Sequence, residues 1–106
     1  VMFNGDLSNS CLIPAVQADG AEITTIEGIG TKENLHPIQE SFLKNGGAQC
    51  GICTPGMVLA SLELLKKNHN PSLEEIKHGL GGNLCRCTGY MAIFDSVAEA
   101  AKEMSK

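Results

Sequence analysis

Tryptophan is absent, and the aromatic side chains amount to Phe3, Phe42, Phe94 and Tyr90. With so few large rings, a 106-residue chain has little bulk for a core, and domains of this size often rely on a staple. Basic charge is also in short supply: 8 Lys and Arg stand against 12 Asp and Glu, a formal charge of −4 and a pI near 5.2. That balance argues against the basic stripe of a nucleic-acid binder and against a polybasic membrane surface. No apolar run approaches the roughly 18 residues that cross a bilayer. The longest, Gly56 to Leu62, is broken by Ser61 and closed by Glu63, so the chain reads as soluble, with no membrane span. A basic-then-apolar leader is missing too, and the first residue is Val1. The chain therefore reads as starting inside something larger.

Glycine and cysteine are plentiful, at 12 and 5 residues. An odd cysteine count without a secretory leader weakens a disulfide framework. It favours metal or redox chemistry in a reducing compartment, the cytoplasm. Up to about Gly30, short apolar runs alternate with turn residues: Val1-Met2-Phe3, Cys11-Leu12-Ile13 and Ile23-Thr24-Thr25-Ile26. Asn4-Gly5-Asp6 is a hairpin signal, because Asn and Gly tolerate the positive φ of a tight turn. Two or three short strands are expected, too few to bury a core alone.

From about Leu35 the pattern is helical. Pro37 suits a first turn, with Ile38, Phe42 and Leu43 expected on one face before Asn45-Gly46-Gly47 stops the helix. Thr54 as N-cap and Pro55 behind it open a second helix, apolar nearly all round, that runs to about Asn68. Ser72-Leu73-Glu74-Glu75 is a capping box for a short third helix ending at Gly79. Ile93, Phe94, Val97, Ala98, Ala101 and Met104 recur at helical spacing in a fourth. Four helices with short connections make a small bundle. His36, His69 and His78 fall at or near helix ends, where solvated or capping roles are expected.

The most informative feature is an internal echo. Gly46-Gly47-Ala48-Gln49-Cys50-Gly51-Ile52-Cys53-Thr54 is matched by Gly81-Gly82-Asn83-Leu84-Cys85-Arg86-Cys87-Thr88. Each unit follows a helix stop, sets two cysteines in a glycine-rich loop and ends on a Thr suited to capping. Two such units facing each other gather four thiolates. That set suits a tetrahedral zinc ion, an iron–sulfur cluster or a pair of disulfides, and spacing alone leaves the choice open. Between Asn45 and Leu62 there is no charged side chain, and between Gly79 and Phe94 only Arg86, so the loops look made to be covered. For a cluster, four thiolates on a two-iron core leave a buried net anion. Backbone N–H groups exposed by glycine and helix N-termini would have to offset it. Cys11 stands apart, and from pattern alone it reads as a small buried hydrophobe in a strand.

Gln49-Cys50-Gly51-Ile52-Cys53-Thr54-Pro55-Gly56 and Gly82-Asn83-Leu84-Cys85-Arg86-Cys87-Thr88-Gly89-Tyr90 closely resemble the iron–sulfur subunit or domain of molybdenum hydroxylases. That family includes xanthine dehydrogenase, aldehyde oxidoreductase and the aerobic carbon monoxide dehydrogenase. The similarity extends to Thr25-Ile26-Glu27-Gly28-Ile29 and Leu35-His36-Pro37-Ile38-Gln39-Glu40. The resemblance implies a mainly α fold: a four-helix [2Fe-2S]-binding bundle over residues 31–106. Residues 1–30 would be the remnant of a plant-ferredoxin-like (β-grasp) domain. By position, Cys50, Cys53, Cys85 and Cys87 match the ligands of the helical cluster. Gln49 and Cys87 match residues beside the molybdopterin of a partner, and Cys11 matches the last ligand of a second cluster. The other three cysteines of that cluster are absent, so Cys11 would serve only if upstream residues supply them. The implied role is electron transfer from a molybdenum-cofactor-binding large subunit toward an FAD-binding medium subunit. The competing reading is a zinc-stabilised four-cysteine interaction module without redox function. Ile52, Met57, Leu84, Tyr90 and Met91 are the expected docking surface.

Overall fold

In the computed structural model, which describes residues 1–105, the helical part is organised by what starts and stops each helix. Helix α1 spans Pro37–Lys44, α2 Thr54–Lys67, α3 Leu73–Gly79 and α4 Met91–Met104. His36 caps α1: its Nδ1 accepts the Ile38 N–H at 3.2 Å, and the Gln39 side chain accepts the His36 N–H at 3.0 Å. At the other end Gly46 has φ +73° and the Gly47 N–H reaches the Phe42 carbonyl at 2.8 Å, a Schellman stop. Ser72 and Glu75 form the expected capping box on α3.

The core lies between these helices. Ile38 and Phe42 of α1, Met57, Val58 and Leu65 of α2, Ile76 of α3, and Ile93, Val97 and Ala100 of α4 are buried together. Helix α1 packs chiefly on α4. Two buried serines stitch that contact: Ser41 Oγ donates to the Ser96 carbonyl at 2.5 Å, and Ser96 Oγ donates to the Ala92 carbonyl at 2.7 Å. Both hydroxyls are therefore satisfied in the dry interior.

The N-terminal part is a three-stranded antiparallel sheet in the order β2-β1-β3, from β1 Met2–Phe3, β2 Asp6–Leu7 and β3 Ile23–Thr24. Met2 faces Leu7 and Thr24 in register, and Phe3 faces Asp6 and Ile23. Asn4 and Gly5, at φ +50° and +88°, make the tight turn. The hairpin rests on α2, where Glu63 accepts the Leu7 N–H at 3.2 Å and Lys66 Nζ donates to the Gly5 carbonyl at 3.2 Å.

Four expectations need correcting. Cys11-Leu12-Ile13 is not a strand: Ser10–Leu12 forms a 3-10 turn closed by the Ile13 N–H on the Ser10 carbonyl, and Cys11 is exposed. Leu43 is 65% exposed, because the eight-residue α1 buries only the narrow stripe through Ile38 and Phe42. Thr54 does not cap α2. Cys53 occupies the N-cap position, and Thr54 lies in the first turn with its Oγ1 buried and unpartnered. Met57 is fully buried in the core and so takes no part in a docking surface. Among the described residues no helix is long and apolar enough to cross a membrane.

Candidate metal centre

The first cysteine loop leaves α1 through the Gly46-Gly47 stop, and the second leaves α3 at Gly79 and leads into α4. Because α1 packs on α4 and α2 on α3, the two loops meet at one end of the bundle. They enclose a cleft of about 380 Å³ lined by Cys50, Ile52, Cys53, Leu84, Cys85, Arg86 and Cys87. All five cysteines are free thiols; Cys50 and Cys87 are exposed, Cys53 is half-buried and Cys85 buried. Ile52 and Leu84, 85% and 84% exposed, form an apolar rim, and Arg86 is the cation beside it.

The nearest thiol contacts run across the loops. Cys87 Sγ approaches Cys50 Sγ at 3.5 Å, and Cys53 neighbours Cys85. Each pair takes one sulfur from each loop. Four thiols from two facing loops are a donor set of the right number and chemistry for the two irons of a [2Fe-2S] core.

Electrostatics separate the four. The Cys85 thiol is pulled down to about 7, first by the Thr88 hydroxyl donating to its sulfur at 3.2 Å, and by the amides of Thr88 and Cys87. Cys53 is pushed up to about 11 by burial and by its two thiol neighbours Cys85 and Cys50. Cys87 is raised by Cys50 beside it. Donors thus concentrate on Cys85, which is where a buried thiolate needs them.

Gln49 is exposed and precedes Cys50 in the chain, but does not line the cleft. Cys11, on its own turn, does not line it. Two residues outside the expected ligand set also shape the centre. Thr88 does not cap α4; its hydroxyl turns back to Cys85 and accepts the Tyr90 N–H at 3.0 Å. Tyr90, at the N-cap with φ +76°, accepts the Cys85 N–H on its phenol oxygen at 3.0 Å. The sequence signal was a Thr three residues after Cys85 followed by a Gly-Tyr pair, a turn that returns the chain on itself.

A small bundle whose two loops clasp four thiols in two pairs defines an iron–sulfur type of domain. Comparison with known proteins agrees. Residues 25–98 match the family described as "[2Fe-2S] binding domain", and the chain belongs to that family. It is 48% identical over 105 residues to one subunit of the "Probable xanthine dehydrogenase" of Bacillus subtilis, covering 99% of this chain and 60% of that protein. It is 52% identical over 90 residues to mouse "Aldehyde oxidase 3", covering 84% of this chain and 7% of the relative. Among solved structures, quinoline 2-oxidoreductase from Pseudomonas putida 86 superposes with a TM-score of 0.92 at 40% identity, over 98% of this chain and 65% of that one. Aldehyde oxidoreductase from Desulfovibrio gigas gives 0.91 at 42%, over 97% and 12%. This chain therefore corresponds to a part of these oxidoreductases, and the zinc module is the less favoured reading.

Proposed function

We propose that the chain is the electron-transfer iron–sulfur unit of a molybdenum-cofactor hydroxylase or dehydrogenase, passing single electrons from a molybdenum centre toward flavin. The observation that carries this reading is the pairing of the sulfurs across the loops. Cys50 with Cys87, and Cys53 with Cys85, would each hold one iron. A bound [2Fe-2S] core supplies one-electron storage at four-coordinate iron, with no position open to substrate. The chain's own residues then fix the core, supply amide and hydroxyl donors to its sulfurs, and exclude water on the bundle side. Exposed Gln49 and Cys87 would face the molybdopterin of a large subunit, with Ile52, Leu84, half-buried Tyr90 and Met91 as the apolar contact around them. FAD would sit on a further subunit. Residues 1–30 would belong to a ferredoxin-like domain and 31–106 to the helical domain, with Cys11 a ligand of a second cluster where further cysteines complete the set. Five free thiols suit the reducing cytoplasm.

The test is chemical. Anaerobically isolated protein should contain iron and acid-labile sulfide in equal amounts, absorb in the visible, and give an electron paramagnetic resonance signal on dithionite reduction. Colourless protein holding zinc, or with its thiols joined in disulfides, refutes the proposal.

A further inference from the structure

Around Cys85 the structure closes a ring of three hydrogen bonds that cluster ligation by itself does not require. Cys85 N–H donates to the Tyr90 phenol oxygen at 3.0 Å, and Tyr90 N–H donates to Thr88 Oγ1 at 3.0 Å. The Thr88 hydroxyl then donates to Cys85 Sγ at 3.2 Å. The Thr88 oxygen is loaded by the amide behind it, so its proton has one acceptor in this ring, the sulfur. The ring is held at a backbone cost. Gly89 and Tyr90 are both in the positive-φ region, at +68° and +76°, and a non-glycine residue there is strained. The Tyr90 ring also lies stacked along Phe94, with centroids 6.2 Å apart, which anchors it to the first turn of α4. A left-handed tyrosine is kept where its phenol can reach the amide of the buried cysteine.

We propose that Thr88 and Tyr90 are positioning residues for the sulfur of Cys85, and that the Thr88 hydroxyl sets the reduction potential of the cluster this sulfur would hold. The proposal rests on the [2Fe-2S] reading above. A reduced cluster carries one more negative charge, so a donor aimed at a ligand sulfur favours the reduced form and raises the potential. Tyr90 acts through geometry: it fixes the Cys85 amide, and with it the direction in which the thiol points. Among the described residues no hydroxyl bonds the sulfurs of the other pair; Cys87 meets Cys50 at the exposed side of the cleft.

The experiment is a redox titration of the cluster-loaded iron–sulfur protein, followed by electron paramagnetic resonance, on the unmodified protein and on Thr88→Val, Thr88→Ala, Thr88→Ser and Tyr90→Phe. Thr88→Val should lower the reduced-to-oxidised ratio at the original midpoint about tenfold, a shift of about 59 mV to more negative potential. Thr88→Ala, which adds no bulk, should show the same shift if Thr88→Val does not load. Thr88→Ser keeps the hydroxyl and should titrate with the unmodified protein. Tyr90→Phe should release iron to a chelator several-fold faster. Equal potentials for Thr88→Ala and the unmodified protein overturn the proposal, as does a shift in Thr88→Ser as large as in Thr88→Ala. If the unmodified protein holds no iron and sulfide, the underlying cluster reading fails instead, and the two failures are told apart before any variant is made.

Discussion

Gly47 gives the sharpest test of how the first cysteine loop is held to the bundle. A Cβ built on Gly47 would lie 2.5 Å from Ser96 Oγ and 3.1 Å from the Phe42 ring. Phe42 is 1% exposed and Ser96 fully buried, so neither has free space to move into. Ser96 could swing its hydroxyl aside only by leaving the Ala92 carbonyl, which would orphan a buried donor at about 1–3 kcal/mol. Overpacking of this kind costs about 1–3 kcal/mol, and we expect Gly47→Ala to fall near 2 kcal/mol. Gly46→Ala is the control. Its Cβ meets nothing within 4 Å, but φ is +73°, so it carries backbone strain of about 1 kcal/mol and no clash. Removing the Ser96 hydroxyl should separate the two: in a Ser96→Ala background Gly47→Ala should recover about 1 kcal/mol, while Gly46→Ala should recover nothing. Urea unfolding followed by circular dichroism, with all variants in the same cluster state, measures the coupling as a double-mutant cycle. If Gly47→Ala costs no more in the native background than in Ser96→Ala, the packing argument is wrong.

Two further outcomes follow from the caps and the hairpin contact. Burial lowers the His36 pKa below its ordinary 6.5, and its neutral Nδ1 is the acceptor at the start of α1. The cap's stability is therefore fully present above the unfolded imidazole pKa and lost as pH falls through the lower folded value. Stability should drop below that window, a drop that His36→Asn, which keeps an acceptor, should abolish in pH-dependent urea melts. Glu63 holds the β1–β2 hairpin to α2, and Glu63→Ala should expose the Leu7 amide to hydrogen exchange while amides of Ile93 and Val97 stay protected. Equal loosening of both would mean that the hairpin and the bundle open as one unit.

Helix starts and stops were legible because local chemistry decides them. Pro37, Pro55, the Ser72–Glu75 box and the Gly46-Gly47 stop each act within a turn of their own position. The N-terminal thirty residues were less so. Strands of two residues exist only where a neighbour offers an edge; Ile23–Thr24 found β1, and Cys11-Leu12-Ile13 found none and curled into a turn. Leu43 departs from its expected face because eight residues make just over two turns, and the buried stripe is only as wide as the Ile38–Phe42 spacing. At the site, the four cysteines stood out by repetition. Their partners did not, since pairing across loops depends on how α1 meets α4, and that distance is written nowhere in the spacing of either motif. The role of Thr88 was hidden for a related reason: a hydroxyl before a helix suits a cap and a sulfur equally, until the positive φ of Tyr90 turns it toward Cys85.

The cross-loop pairing has a consequence for assembly. Had each loop supplied both sulfurs of one iron, two independent hairpins could each capture metal before the bundle formed. With Cys50 set against Cys87 and Cys53 against Cys85, neither loop alone completes a pair. The first loop hangs from the end of α1 and the second feeds α4, so one contact that brings the sulfurs together is the one stitched by Ser41 and Ser96 and closed over Gly47. Cluster loading should therefore follow the integrity of that helix contact more closely than global stability. A variant such as Gly47→Ala should lose iron faster than a mutation of equal cost in the β1–β2 hairpin, because only the former touches the helix contact from which the first loop hangs.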